Sequence, residues 1–224
     1  MSVGETQPIN YELHDPDVRL MLDVRKGNAG AFEELVLRYQ SRLLTVLEHL
    51  VGNRELAEDL AQEVFLRVFR ARERYEPGAK FSTWLFTIAN NVASNALRSR
   101  GRRKEVGVPQ QAGASESGAM QLDQMAKANS GLMPTRALDK AEAAEVVRQA
   151  IESLSERQRM ALLLSKFENM SYQDIASTME LTVQATKSLL SRARVNLRDI
   201  LAPYVEQGLR PSLTAAAEDD DIDE

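Results

Sequence analysis

Apolar residues recur at three- and four-residue steps along most of the chain, the period of helices that bury one face. Phe32, Leu35, Val36, Tyr39, Leu43, Leu47 and Leu50 form one stripe, and Leu56, Leu60, Val64 and Val68 form the next. Asp15-Pro16 predicts the cap and first position of a helix over Asp17–Arg25. Gly27-Asn28 and Gly52-Asn53 separate the following helices, the third of which runs from Arg54 to about Arg72, and Glu76-Pro77-Gly78 predicts a loop. Ser82 is the expected cap of a fourth helix, with Gly101 ending it near Arg100. Helices resume over Ala137–Ser153. Ser155 and Gln158 have the spacing of a capping box for a helix to about Phe167, and Ser171 with Asp174 caps a short helix to Met179. Thr182 caps the last helix, expected to reach about Leu201 before Pro203. No segment reads as a strand. The fold class predicted is all-α: two small helical domains joined by a flexible linker, the C-terminal one a helix-turn-helix.

Residues 107–134 break the periodicity. Gly, Ser, Ala and Gln dominate and aromatics are absent, the composition of a flexible tether. The alternative there is a short helix near Met120–Ala128 that forms on binding. The expected organisation is a flexible N-terminus (1–14), a first domain (15–106), a linker (107–134), a second domain (135–202) and a disordered acidic tail (203–224).

Composition narrows the chemistry. The 224 residues include no cysteine, which removes disulfides, thiolate metal sites and Cys nucleophiles and fits a reducing, cytoplasmic setting. His14 and His49 lie far apart and form no ligand set. No nucleotide loop, metal-ligand spacing or nucleophile–base pair is present, so neither an enzyme nor a cofactor is expected. No apolar run approaches the roughly 18 residues that cross a bilayer, and the polar, acidic N-terminus does not read as a secretory signal.

The net charge of −5 argues against a polyanionic partner until its distribution is examined. Six acids crowd the last seven residues, while residues 17–106 carry 16 basic and 12 acidic side chains. From Thr182 to Arg198 there are four basic residues and no acid. Salt screens charge beyond about 8–10 Å, so these local faces matter more than the sum.

Two segments carry the chemistry. In FSTWLFTIANNVASNALRSRGRRK (Phe81–Lys104), aromatic faces can stack on unpaired bases, Asn amides can bond base edges and the basic end can hold phosphates. SYQDIASTMELTVQATKSLLSRARVNLR (Ser171–Arg198) has the form of a helix-turn-helix. Ile175, Ala176 and Met179 face inward, Leu181 plugs the turn, and Val183, Thr186, Leu190, Ala193 and Leu197 make the inner stripe of the second helix. Gln184, Lys187, Ser188, Ser191 and Arg192 project from its other side, where such a helix meets a major groove. The bland alternative is a helical hairpin with a solvated basic face.

Taken in order, these pieces resemble the bacterial sigma factors of the sigma-70 family, extracytoplasmic-function (ECF) type, over about 31–103 and 137–198. The pieces are AEDLAQEVFLRVF (57–69), KFSTWLFTIANNVASNALR (80–98), SLSERQRMALLL (153–164) and SYQDIASTMELTVQATKSLLSRAR (171–194). The resemblance implies a transcription initiation factor that binds core RNA polymerase, at the beta-prime coiled coil and the beta flap, and promoter DNA. It implies polymerase contacts at Asp59, Gln62, Glu63, Phe65 and Arg67. It places the melted minus-10 strand on Lys80, Phe81, Ser82, Asn91, Asn95, Arg98, Arg102 and Arg103, with Arg100 and Lys104 on phosphates. Lys80 and Phe81 are the expected tip of a base-capturing loop, and Trp84 is expected to pack that loop onto the core. The minus-35 element falls to Thr182, Gln184, Lys187, Ser188, Ser191 and Arg192. Gln184 departs from a common Gly, and Leu189 from a position that is often basic. An anti-sigma factor is the expected regulator, and no membrane insertion is implied. The rival readings are a stand-alone helix-turn-helix regulator of duplex DNA and a helical protein-interaction bundle. The acidic tail is expected either to shield the recognition helix or to aid solubility.

Overall fold

The computed structural model describes residues 11–105 and 134–207. The expectations for residues 1–10, for the linker over 107–133 and for the acidic tail over 208–224 lie outside the described residues, while 203–207, expected to be disordered, are helical. The elements are α1 (Tyr11–His14), α2 (Pro16–Arg25), α3 (Ala29–Val51), α4 (Arg54–Ala71), a 3-10 turn (Arg72–Arg74) and α5 (Phe81–Glu105). They continue with α6 (Pro134–Glu152), α7 (Glu156–Lys166), α8 (Tyr172–Met179) and α9 (Val183–Gln207). No strand occurs among the described residues.

Local chemistry sets most boundaries. Asn28 Oδ1 accepts from the Ala31 amide (3.3 Å) and Asn53 Oδ1 from the Leu56 amide (2.7 Å), so each asparagine after a glycine caps the next helix. Gly52 ends α3 at φ 66°, a left-handed conformation that glycine adopts without a Cβ clash. Four boundaries differ from expectation. Tyr11–His14 is helical rather than loose. Helix α5 opens at Phe81, because Asp15 Oδ2 accepts the Phe81 amide (3.0 Å) and takes the cap expected of Ser82. The same helix runs through Gly101, whose backbone is not left-handed there, at a helix-interior cost of about 1 kcal/mol. Helix α9 passes Pro203; the missing N–H strands one carbonyl, that of the exposed Asp199, which water can serve.

In the N-terminal module α3 packs on α2, α4 and α5. The expected stripe lies inside, with Leu35, Tyr39, Leu43, Leu47 and Leu50 at most 3% exposed. In the C-terminal module α9 packs on α6, α7 and α8. The two modules touch: α8 lies on α5, and α6 and α7 lie on α3. Buried residues of both modules join into one apolar cluster, running from Val18 to Ala93 and on through Ile151, Leu163 and Ile175.

Candidate nucleic-acid interface

The second helix of the helix-turn-helix is positioned by its buried side. Thr186, Leu190 and Ala193 are fully buried, with Val183 and Leu197 half-buried. Ser171 and Asp174 form a reciprocal capping box at the start of α8. Glu180 closes the turn at φ 55°, and Leu181, half-buried rather than a buried plug, donates its amide to the Ala176 carbonyl at 2.9 Å. Thr182 Oγ1 accepts the Ala185 amide (3.0 Å), starting α9. Gln184, Lys187, Ser191 and Arg192 then emerge exposed on one side, with Ser188 half-buried between them. At the start of α7, Ser155 accepts the Gln158 amide (3.4 Å), while the Gln158 side chain accepts from Asn196 Nδ2 (3.1 Å), tying α7 to α9.

Along α5 a second exposed track forms. Asn91, Asn95, Arg98 and Arg102 follow at steps of four, three and four residues, which is one helix face. Arg98 Nη2 donates to Asn95 Oδ1 (3.2 Å) and Arg98 Nε to the Ser94 carbonyl (3.1 Å), so the cation is held beside the amide. The structure does not describe the side chains of Arg103 and Lys104.

The loop before α5 departs from expectation at its aromatic residue. Phe81 is 0% exposed and packs edge-on to Tyr39, centroids 5.2 Å apart, so it is a core residue and not a loop tip. Its placement at the first helical position turns the ring toward α3. Trp84 is half-buried against Tyr75 (4.7 Å) and Phe81 (5.9 Å), packing the loop as expected. Ser82 is half-buried, and Lys80 is exposed with its ammonium on Asp174 (2.9 Å). Both loop ends are held by α2. Arg25 Nη1 donates to the Tyr75 carbonyl (3.2 Å), and Asp15 holds the Phe81 amide.

On α4, Asp59, Gln62 and Arg67 are exposed, Phe65 is half-buried, and Arg67 pairs with Glu63 at 2.7 Å. Two large apolar neighbours that sequence reasoning passed over are also exposed, Leu66 at 50% and Phe69 at 40%. Phe69 packs at a tilt against Phe32 (5.1 Å) and lies under the Arg72 guanidinium (4.2 Å). The signal was present: both lie off the Leu56–Leu60–Val64–Val68 stripe, where an apolar residue has no core to enter.

Titration reflects the contact between modules. Burial, with Arg148 and Arg159 nearby, pushes His49 below its ordinary 6.5, where it lies against Phe167. Burial pushes the Glu168 carboxyl above 4.5, with Arg42 offsetting only part. Burial acts the same way on Asp174, but hydrogen bonds from Lys80 and Ser171 prevail and hold it below 3.8.

One helical module carries a helix-turn-helix and the other an exposed asparagine–arginine track, the layout of a helical DNA-binding protein. The family model described as Sigma-70 region 2 matches residues 35–103, and that described as Sigma-70, region 4 matches 144–197. The chain is 34% identical over 193 residues to the RNA polymerase sigma-H factor of Pseudomonas aeruginosa, covering 86% of this chain and 97% of that protein. It is 30% identical over 191 residues to the ECF RNA polymerase sigma-E factor of Escherichia coli K12, covering 85% and 97%. Among solved structures, the sigma factor RpoE of Bartonella quintana, bound to the anti-sigma factor NepR, superposes with a TM-score of 0.58 at 26% identity, covering 76% of this chain and 96% of that one. The chain belongs to the sigma-70 family, in its ECF group, and is a promoter-directing transcription initiation factor. A stand-alone helix-turn-helix regulator is not favoured, since it gives residues 35–103 no task. No described helix is long and apolar enough to cross a membrane.

Proposed function

We propose that the α5 track holds the non-template strand of a melted minus-10 element while α9 reads the minus-35 element as duplex. The observation that carries this is the exposed line Asn91–Asn95–Arg98–Arg102, amides first and cations after. Amides bond base edges and guanidiniums hold phosphates. Lys80 stands at the loop end of the same face, Ser82 lies half-buried on the other side of the first turn, and Arg103 continues the sequence beyond Arg102. Phe81 supports this site from the core. On α9, Gln184, Lys187, Ser191 and Arg192 face the groove, with Ser188 between them and Thr182 at the entry. No bond is made or broken by the chain itself; the role is that of a non-enzymatic, cytoplasmic factor.

On α4 we assign the polymerase contact to Asp59, Gln62, Glu63, Phe65 and Arg67, with Leu66 and Phe69 adding an apolar centre. Apolar anchors rimmed by charges are the usual anatomy of a hot spot. The C-terminal module would meet the beta flap. The likeness to a sigma factor crystallised with its anti-sigma factor supports a regulator of that kind for this chain.

Transcription by purified core polymerase with this chain, on a genomic fragment library, tests the reading. Mapped starts should share one upstream motif pair. Asn95→Ala should reduce permanganate reactivity of the bubble while duplex binding persists. Arg192→Ala should weaken binding by about 1–3 kcal/mol at one minus-35 base. Starts without a shared motif would refute the assignment.

A further inference from the structure

Helix α2 lies outside the matched region 2, yet it holds both ends of the loop that leads into α5. At one end Arg25, its last residue, donates from Nη1 to the Tyr75 carbonyl at 3.2 Å. At the other end its N-cap, Asp15, accepts the Phe81 amide on Oδ2 at 3.0 Å. A second route runs through the core. Asp17 Oδ2 accepts the Tyr39 hydroxyl at 2.6 Å, and the Tyr39 ring meets the buried Phe81 ring edge-on. Helix α2 also packs on the 3-10 turn before the loop and on α5 after it. Between the two anchors Glu76, Gly78 and Lys80 are exposed.

Capping a helix takes one side-chain oxygen. Asp15 Oδ1 already serves the Asp17 and Val18 amides, so the contact to Phe81 is a separate task of the second oxygen. Because α5 starts at Phe81, that contact fixes Lys80, one residue before, relative to Asn91, three turns further along the same face. Tyr75 is fixed through its carbonyl and through its ring against Trp84, since its buried hydroxyl has no partner among the described residues. A loop pinned at both ends gives up little conformational freedom when it takes a strand, whereas a loose one must be ordered at the moment of binding.

We propose that α2 is the positioning element of the strand-holding loop, with Asp15 and Arg25 as positioning residues for promoter opening. Asp15 sets where α5 begins, and Arg25 sets where the loop leaves the 3-10 turn. Lys80 is thereby presented in line with the asparagine–arginine track. Neither residue needs to touch the strand. This inference rests on the strand-holding role given above to Lys80 and α5.

Full-length variants assembled with core polymerase, normalised to the assembled fraction, test it on the promoter mapped above. Asp15→Ser keeps a hydroxyl oxygen for the α2 amides and has nothing in the place of Oδ2. Arg25→Met keeps the stem and removes the donor, while Arg25→Lys keeps a donor. Asp15→Ser and Arg25→Met should each slow permanganate-detected opening about fivefold or more, with initial duplex binding changed less than about twofold. Their holoenzymes should bind a labelled single-stranded 12-mer carrying the minus-10 hexamer about threefold or more weakly, and a scrambled 12-mer within about twofold of wild type. Arg25→Lys should recover most of the opening rate. Wild-type opening and hexamer affinity in both Asp15→Ser and Arg25→Met would overturn the inference alone. Opening and duplex binding that fall by the same factor would do so too, since that is the mark of a purely structural role. No hexamer preference in the wild-type holoenzyme would remove the strand-holding role, and this inference with it.

Discussion

Asp15 caps two helices with one carboxylate: Oδ1 accepts the Asp17 amide at 2.9 Å, and Oδ2 accepts the Phe81 amide, 66 residues away, at 3.0 Å. The N-terminal helix thereby fixes where α5 begins. Arg25, at the other end of α2, holds the Tyr75 carbonyl. The loop between Tyr75 and Phe81 is therefore clamped at both ends by an element that lies outside the matched region 2.

Asp15→Ala should cost about 1–4 kcal/mol in urea unfolding, because two caps are lost and each is worth about 0.5–2 kcal/mol. Amide exchange at Phe81 should accelerate together with exchange at Asp17. Unchanged protection at Phe81 would show that the long-range cap contributes nothing.

Phe81→Ala should act on folding. A fully buried phenylalanine cut to alanine costs about 3–5 kcal/mol, and here the Tyr39 and Trp84 ring contacts go with it. Phe81→Leu should retain most of the stability and of the strand opening. Native stability combined with a selective loss of permanganate reactivity in Phe81→Ala would restore the ring as a base platform.

Acid should weaken the folded chain through His49. Its folded value lies below the ordinary 6.5, so the unfolded chain binds the proton first. Stability is complete above 6.5 and is lost as pH falls through the folded value. The raised carboxyls of Glu48 and Glu168 work in the opposite direction, regaining stability as pH falls through their folded values toward the ordinary 4.5. Urea midpoints of wild type and His49→Gln isolate the histidine. The wild type should lose more than the variant between about pH 7 and 5, and parallel curves would remove His49 as the cause.

Leu66→Ser should leave stability within about 0.5 kcal/mol, as surface changes generally do. Its affinity for core polymerase should fall by about 2 kcal/mol or more if it sits at the centre of the contact. Competition against a reference sigma factor for limiting core measures this. Full competitiveness would confine the contact to the polar residues of α4.

Most helices were legible because they carry an apolar stripe and a local cap, as Asn28, Asn53, Ser155, Ser171 and Thr182 supply. The recognition face was legible for the same reason: Thr186, Leu190 and Ala193 inside dictate that Lys187, Ser191 and Arg192 lie outside. Phe81 was misplaced because a sequence-local view offers Ser82 as the cap, while the group that caps α5 comes from Asp15. Leu66 and Phe69 were legible as apolar residues off the Leu56–Leu60–Val64–Val68 stripe, and packing then showed that no neighbouring helix covers them fully.

By itself the chain's pattern determined the helical elements, their amphipathic faces, the helix-turn-helix and the basic tracks, since these depend on residues within one or two turns of each other. The tertiary structure alone decided that Asp15 starts α5, that Phe81 faces the core and that Asp174 meets Lys80. Those contacts join residues dozens of positions apart, and only packing of the folded chain brings such groups within hydrogen-bond distance.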